Sequence, residues 1–105
     1  RLIAAHLGKY LCTDPRLIDR FIDLAGRHEN VVLDVSGVVL PQKIRDAVRR
    51  VGSKRVTWGT DGPRKTPEPA DFARIELAKV RAVPLEPTET ADVLGGTIAA
   101  LLGLE

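Results

Sequence analysis

The chain has 105 residues, 44% of them apolar and 29% charged, with a net charge of +2. That length allows one domain at most, with enough residues to bury a core. The composition excludes a disordered tail, and four aromatic residues without basic–aromatic alternation give no base-stacking surface for nucleic acid.

Residues 2–6 read as a short apolar strand running into His6. Asp14-Pro15 looks like a helix cap followed by proline at the first helical position. Leu17, Ile18, Phe21, Ile22, Leu24 and Ala25 then repeat with a 3.6-residue period, so 15–27 is a helix. The run Val31-Val32-Leu33-Asp34-Val35 is β-branched and continuous, as in a strand buried on both faces. Pro41 opens a second helix with Ile44, Ala47, Val48 and Val51 on one side and Gly52 as its stop. Arg55–Gly59 is a third strand, followed by a proline-rich loop over 62–69.

Phe72, Ile75 and Ala78 or Lys79 mark a third helix around 70–80. A fourth starts at a Thr88 cap and runs through Val93, Leu94, Ile98, Leu101 and Leu102 to Gly103. Gly95 and Gly96 inside it each cost about 1 kcal/mol against alanine, which suggests a close approach to another element. The order β-α-β-α-β-α-α predicts an α/β unit with parallel strands and right-handed crossovers. The basic residues Arg16, Arg20, Arg27, Lys43, Arg45, Arg49 and Arg50 mostly fall on polar helix sides.

Cys12 is the single cysteine, so no disulfide forms within the chain. This fits a reducing, cytoplasmic setting. No segment is long and apolar enough to span a bilayer. The chain opens inside a strand-like run without methionine, as a fragment would.

In parallel α/β sheets, ligands bind at the carboxyl ends of the strands. His6, Asp34 with Ser36, and Asp61 all fall there. A histidine and an aspartate from different strand tips are ingredients of a metal or proton-transfer site. Each also has a plain reading: His6 as a structural histidine, Asp61 as a turn aspartate before Gly62-Pro63, Asp34 and Ser36 as turn or cap residues. Spacing alone does not separate the two sets.

Four segments in order carry a resemblance. Ala5-His6-Leu7-Gly8 resembles the His-x-Gly strand of the amidohydrolase-related metal-dependent hydrolases. Asn30 to Gly37 is similar to that family's "NVYLDTSG" strand, and Arg55 to Pro63 to its "RILFGSDYP" strand. Val93 to Leu104 resembles its closing "ILGGNARRLLGL" helix. The resemblance implies strands six to eight of a TIM barrel with their helices, a C-terminal portion of a hydrolase or related decarboxylase. It carries His6 over as a metal ligand or proton shuttle, and Asp61 as a metal ligand and general base. Asp34 and Ser36, at the middle strand's end, are candidate substrate contacts on their position alone. It implies a divalent metal, zinc or manganese, and a small-molecule substrate.

Departures are Lys9 where a second glycine is common, Gly62 for an aromatic residue, and Thr97 for asparagine. The family's His-x-His and strand-five histidine are missing, and His28, at a helix end, does not replace them. The chain alone is therefore expected to be inactive. The rest of the barrel, or self-association, would cover its sheet edges.

Two other readings stand beside this one. Val32 to Leu40 also resembles the nucleophile strand of haloacid-dehalogenase-like phosphatases, with Asp34 attacking phosphorus and Mg²⁺ as cofactor. Alternatively the chain is a non-enzymatic parallel α/β binding or assembly module.

Overall fold

The computed structural model describes residues 1–8, 14–62 and 69–104. Cys12, Lys9 and Pro63 lie outside them. Three parallel strands, β1 (Leu2–Ala4), β2 (Val31–Asp34) and β3 (Val56–Thr57), form one sheet in the order β1-β2-β3. Ala4 pairs with Leu33 and Leu33 with Val56, so the three strands end nearly level. This register brings their carboxyl ends to one side of the unit. The expected α/β class with parallel strands is what forms.

Alternation along the strands separates two faces. Ala4, Val31, Leu33 and Val56 join the main apolar cluster with Ile18, Ile22, Ala25, Ile44, Ala47 and Val48. Those last six come from α1 (Pro15–Arg27) and α2 (Pro41–Val51), the two helices that follow β1 and β2. Their apolar stripes sit at the positions the periodicity predicts, because each helix has one side of the sheet to cover. Asp14 caps α1 by accepting from Arg16 N–H at 2.9 Å. The guanidinium of Arg16, hydrogen-bonded to the same carboxylate, lowers the Asp14 pKa.

All three strands are shorter than the sequence suggests. At β3, Arg55 belongs to a 3-10 turn, Ser53–Arg55, instead of the strand. Its guanidinium explains why. It donates to the carbonyls of Ala25 at 3.0 Å and His28 at 2.9 Å, and more weakly to Val31 at 3.3 Å. One cation thus adds a further hydrogen bond to Ala25 and His28 carbonyls that already accept from His28 and Val31 N–H, and ties the end of α1 to the start of β2. His28 is the residue that closes α1; it is exposed and lies just before β2, at the opposite end of that strand from its carboxyl tip.

α3 (Pro69–Ala82) departs in part from its expected apolar side. Ile75 is 63% exposed and Ala78 is exposed, whereas Phe72 and Lys79 are partly buried and Glu76 and Val80 are buried. The inward stripe thus keeps part of the expected side but includes charged residues that hydrophobic periodicity does not pick out.

The last helix also differs. Pro87 takes the first helical position, which moves the cap from Thr88 to Glu86, and Glu89 reaches back to Glu86 N–H at 2.9 Å. α4 (Pro87–Ala91) then passes through a π-helical segment, Asp92–Gly96, before α5 (Thr97–Leu101). The close approach expected at the two glycines is not there. A Cβ on Gly95 would meet nothing within 4 Å, and the nearest atoms to one on Gly96 belong to Asp92 and Ala91, in the preceding turn of the same helix.

The wide turn has another consequence. Thr97 N–H bonds to Asp92 O, five residues back, which releases the Val93 carbonyl. That carbonyl accepts from Trp58 N–H at 2.9 Å. The helix thereby occupies a backbone donor just past β3. Thr97 Oγ1 adds a bond to Ser53 O at 2.8 Å, and Ser53 Oγ donates to Asp92 Oδ2 at 2.6 Å. Among the described residues, no helix is long and apolar enough to cross a membrane.

Candidate functional site

His6 does not sit on β1 itself. It lies two residues beyond, where the backbone turns left-handed: φ is 58° at His6, 52° at Leu7 and 75° at Gly8. Such values are uncommon outside glycine and cost about 1–2 kcal/mol for a side chain like leucine. The turn is held because Leu7 is fully buried in the core. Gly8 is required twice over. Its φ is positive, and a Cβ there would fall 2.0–2.4 Å from ring atoms of Phe21. Leu7 goes down into the core, and His6 stays at the mouth with its side chain 20% exposed.

The ring is then fixed by β2. Nδ1 of His6 lies 2.7 Å from the carbonyl oxygen of Ser36 and 3.1 Å from its hydroxyl. A carbonyl only accepts, so Nδ1 carries the proton when the ring is neutral. The Ser36 hydroxyl is itself a donor to Asp34 Oδ2 at 2.5 Å, which turns its lone pairs toward Nδ1. Asp34 Oδ2 also accepts from the His6 backbone N–H at 3.1 Å. Asp34 and Ser36 therefore bind His6 through both backbone and ring.

This leaves Nε2 of His6 as a lone pair, 3.7 Å from Oδ2 of Asp61. Asp61 comes from beyond β3 and is itself left-handed, with φ 53°. Its side chain is 53% exposed. Left-handed residues at both tips show that backbone strain collects where these two side chains are aimed. The neighbouring Gly59 leaves room for Asp34, since a Cβ there would lie 3.2 Å from Asp34 Oδ1.

His6 and Asp61, predicted from different strand ends, are thus brought together. Asp34 and Ser36, expected as substrate contacts, have another occupation. Ser36 is only 3% exposed, and its hydroxyl proton goes to Asp34. Both of these hydrogen bonds, from the Ser36 hydroxyl and the His6 backbone N–H, fall on the same Asp34 oxygen, Oδ2.

A zinc-sized cation between His6 and Asp61 would need only a small adjustment: ligands about 2.0–2.2 Å from a tetrahedral zinc stand roughly 3.3–3.6 Å apart, against the observed 3.7 Å. The donor set is incomplete, however. No group of three His, Cys, Asp or Glu side chains among the described residues is arranged to hold a metal.

One pair escaped the sequence reading. Glu76 and Lys79 of α3 form a buried ion pair against the turn after β2. Glu76 Oε1 accepts from Gly37 N–H at 3.1 Å, and Lys79 Nζ donates to Val35 O at 2.9 Å. Opposite charges three residues apart, flanked by Phe72 and Val80, were the available signal.

The described residues thus form a parallel α/β unit with a histidine and a carboxylate close together past the carboxyl ends of its strands. The amidohydrolase family model matches residues 1–104, and the chain belongs to the amidohydrolase family. That family comprises hydrolases that generally bind divalent metals. No curated protein and no solved structure matches.

Proposed function

We propose that this chain is the C-terminal, three-strand portion of a metal-dependent hydrolase barrel, with His6 and Asp61 at its catalytic mouth. The observation that carries the reading is the 3.7 Å approach of His6 Nε2 to Asp61 Oδ2, with the other ring nitrogen tied to Ser36. A fixed imidazole whose second nitrogen is held by a backbone carbonyl is the usual arrangement of a metal-binding histidine. A divalent cation held there, zinc or manganese, would polarise water and the bond under attack.

The chain's own residues do the rest. Asp61, the more exposed of the two, takes a proton from the attacking water as general base. His6 would hold the cation through Nε2, or receive that proton in turn. Asp34 and Ser36 hold the ring in the productive tautomer. The carbon attacked belongs to a small-molecule amide, ester or lactone; in a related decarboxylation no water adds, the C–C bond to the carboxylate breaks to release CO2 and a proton takes its place. A chain with one cysteine and no internal disulfide suits the cytoplasm.

Catalytic zinc needs about three protein ligands and an open position. Two donors do not meet that requirement, so the remaining ligands come from other strands of the barrel, and the chain alone does not turn over. The test uses the full-length parent. His6→Ala and Asp61→Asn should each lower bound metal by ~10-fold or more and abolish hydrolysis. Full metal content and undiminished turnover in both variants would overturn the proposal.

A further inference from the structure

A buried ion pair is weak grounds for stability, because removing two charges from water offsets most of their attraction. Glu76, 4% exposed, and Lys79 therefore call for a reason beyond stability. Their partners supply one. Lys79 holds the Val35 carbonyl, and Glu76 holds the Gly37 N–H. Those two backbone groups flank a single residue, Ser36. The peptide units on either side of Ser36 are thus anchored from α3, and Ser36 is the residue whose carbonyl and hydroxyl meet His6 Nδ1. Gly37 lies against the same ring, since a Cβ on it would come within 3.4 Å of His6 Nδ1.

We infer that Glu76 and Lys79 are positioning residues: they clamp the Val35–Gly37 turn so that the Ser36 carbonyl keeps the proton of neutral His6 on Nδ1 and leaves Nε2 open toward Asp61. The pair acts on His6 through the backbone of the turn that follows β2. Its geometric part holds with or without a bound cation. Its value for catalysis rests on the hydrolase reading above.

The tautomer is directly measurable. The chain has two histidines, His6 and the exposed His28, so ring nitrogen signals are easily assigned. Uniformly ¹⁵N-labelled protein is treated with chelator and held at pH about 9, above the ordinary range of imidazole titration. Long-range ¹H–¹⁵N spectra should then show His6 with a protonated Nδ1 and a bare Nε2, and His28 as an ordinary tautomer mixture.

The double variant Glu76→Met/Lys79→Met removes the clamp without leaving a lone buried charge. The His6 tautomer ratio should fall about tenfold, the scale of one net hydrogen bond, while His28 is unchanged. Lys79→Arg, which keeps a cationic donor, should retain most of the wild-type ratio. A wild-type His6 protonated on Nε2 overturns the inference before any variant is made. So does a folded double variant with an unchanged ratio. If the double variant does not fold, Glu76→Gln serves instead, read by the same ratio. Because no readout requires metal or turnover, failure here is distinguishable from failure of the hydrolase proposal.

Discussion

Replacing Gly8 by alanine tests the turn that delivers His6. At a compatible site, Gly→Ala stabilises by about 0.4–1 kcal/mol through the unfolded chain. Here two penalties oppose that gain. With φ at 75°, the new side chain carries a left-handed cost of about 1–2 kcal/mol. Its Cβ also falls 2.0 Å from Phe21 Cγ, so the ring must move, at the ~1–3 kcal/mol typical of overpacking. The net expectation is a loss of about 2–4 kcal/mol. Phe21 is only partly buried, so part of the clash relaxes.

A double-mutant cycle separates the two terms. In a Phe21→Ala background the clash is gone and only the backbone cost persists. Gly8→Ala should then cost only about 0–1.5 kcal/mol, giving a coupling of roughly 1–3 kcal/mol between positions 8 and 21. Urea unfolding followed by circular dichroism measures all four proteins. If Gly8→Ala stabilises, or costs the same in both backgrounds, the left-handed turn packed on Phe21 is not what places His6.

The remaining predictions concern the lower rim and the helix layer. Arg55→Ala strips the cation from the carbonyls of Ala25, His28 and Val31 and should cost about 2–3 kcal/mol, seen as a lower urea midpoint at unchanged slope. Arg55→Lys should recover only part of it, since one ammonium does not reproduce the fork. Lys43 Nζ lies 2.6 Å from Asp19, and this hydrogen bond, assisted by the charges of Asp19 and Asp46, raises the Lys43 pKa above 10.5. A raised cation pKa stabilises fully below the unfolded value and less as pH climbs through the folded value. Stability relative to Lys43→Met should therefore decline as pH rises beyond 10.5, and the difference should shrink in high salt. A pH-independent difference would mean that the bridge contributes nothing.

How much of the site the sequence discloses depends on the residue. His6 and Asp61 are legible because each ends an apolar run, and the carboxyl-end rule for parallel sheets then collects them. Their left-handed backbones are not legible, since neither His6-Leu7 nor Asp61 is a glycine. Asp34 and Ser36 are legible as candidates but not in their role. The distance between a serine hydroxyl and an imidazole 30 positions earlier exists only once β1 and β2 are in register. Glu76 and Lys79 are hidden for a different reason. A charged pair on a helix reads as a solvated face, and only the turn it packs against makes it a buried one.

By itself, the sequence determined the alternation of strands and helices, the parallel class, the faces of α1 and α2, and the family. These follow from short-range pattern: β-branched runs, 3.6-residue periods, and prolines and glycines at element ends. Tertiary structure decided the rest. It set the 3.7 Å between His6 and Asp61, the tautomer imposed by Ser36, and the clamp from α3. It also turned Gly95-Gly96 from an expected close contact into a π-helical turn whose released carbonyl meets Trp58. Distances and protonation depend on which backbone groups lie opposite one another, and strand register with helix docking, not local pattern, sets that.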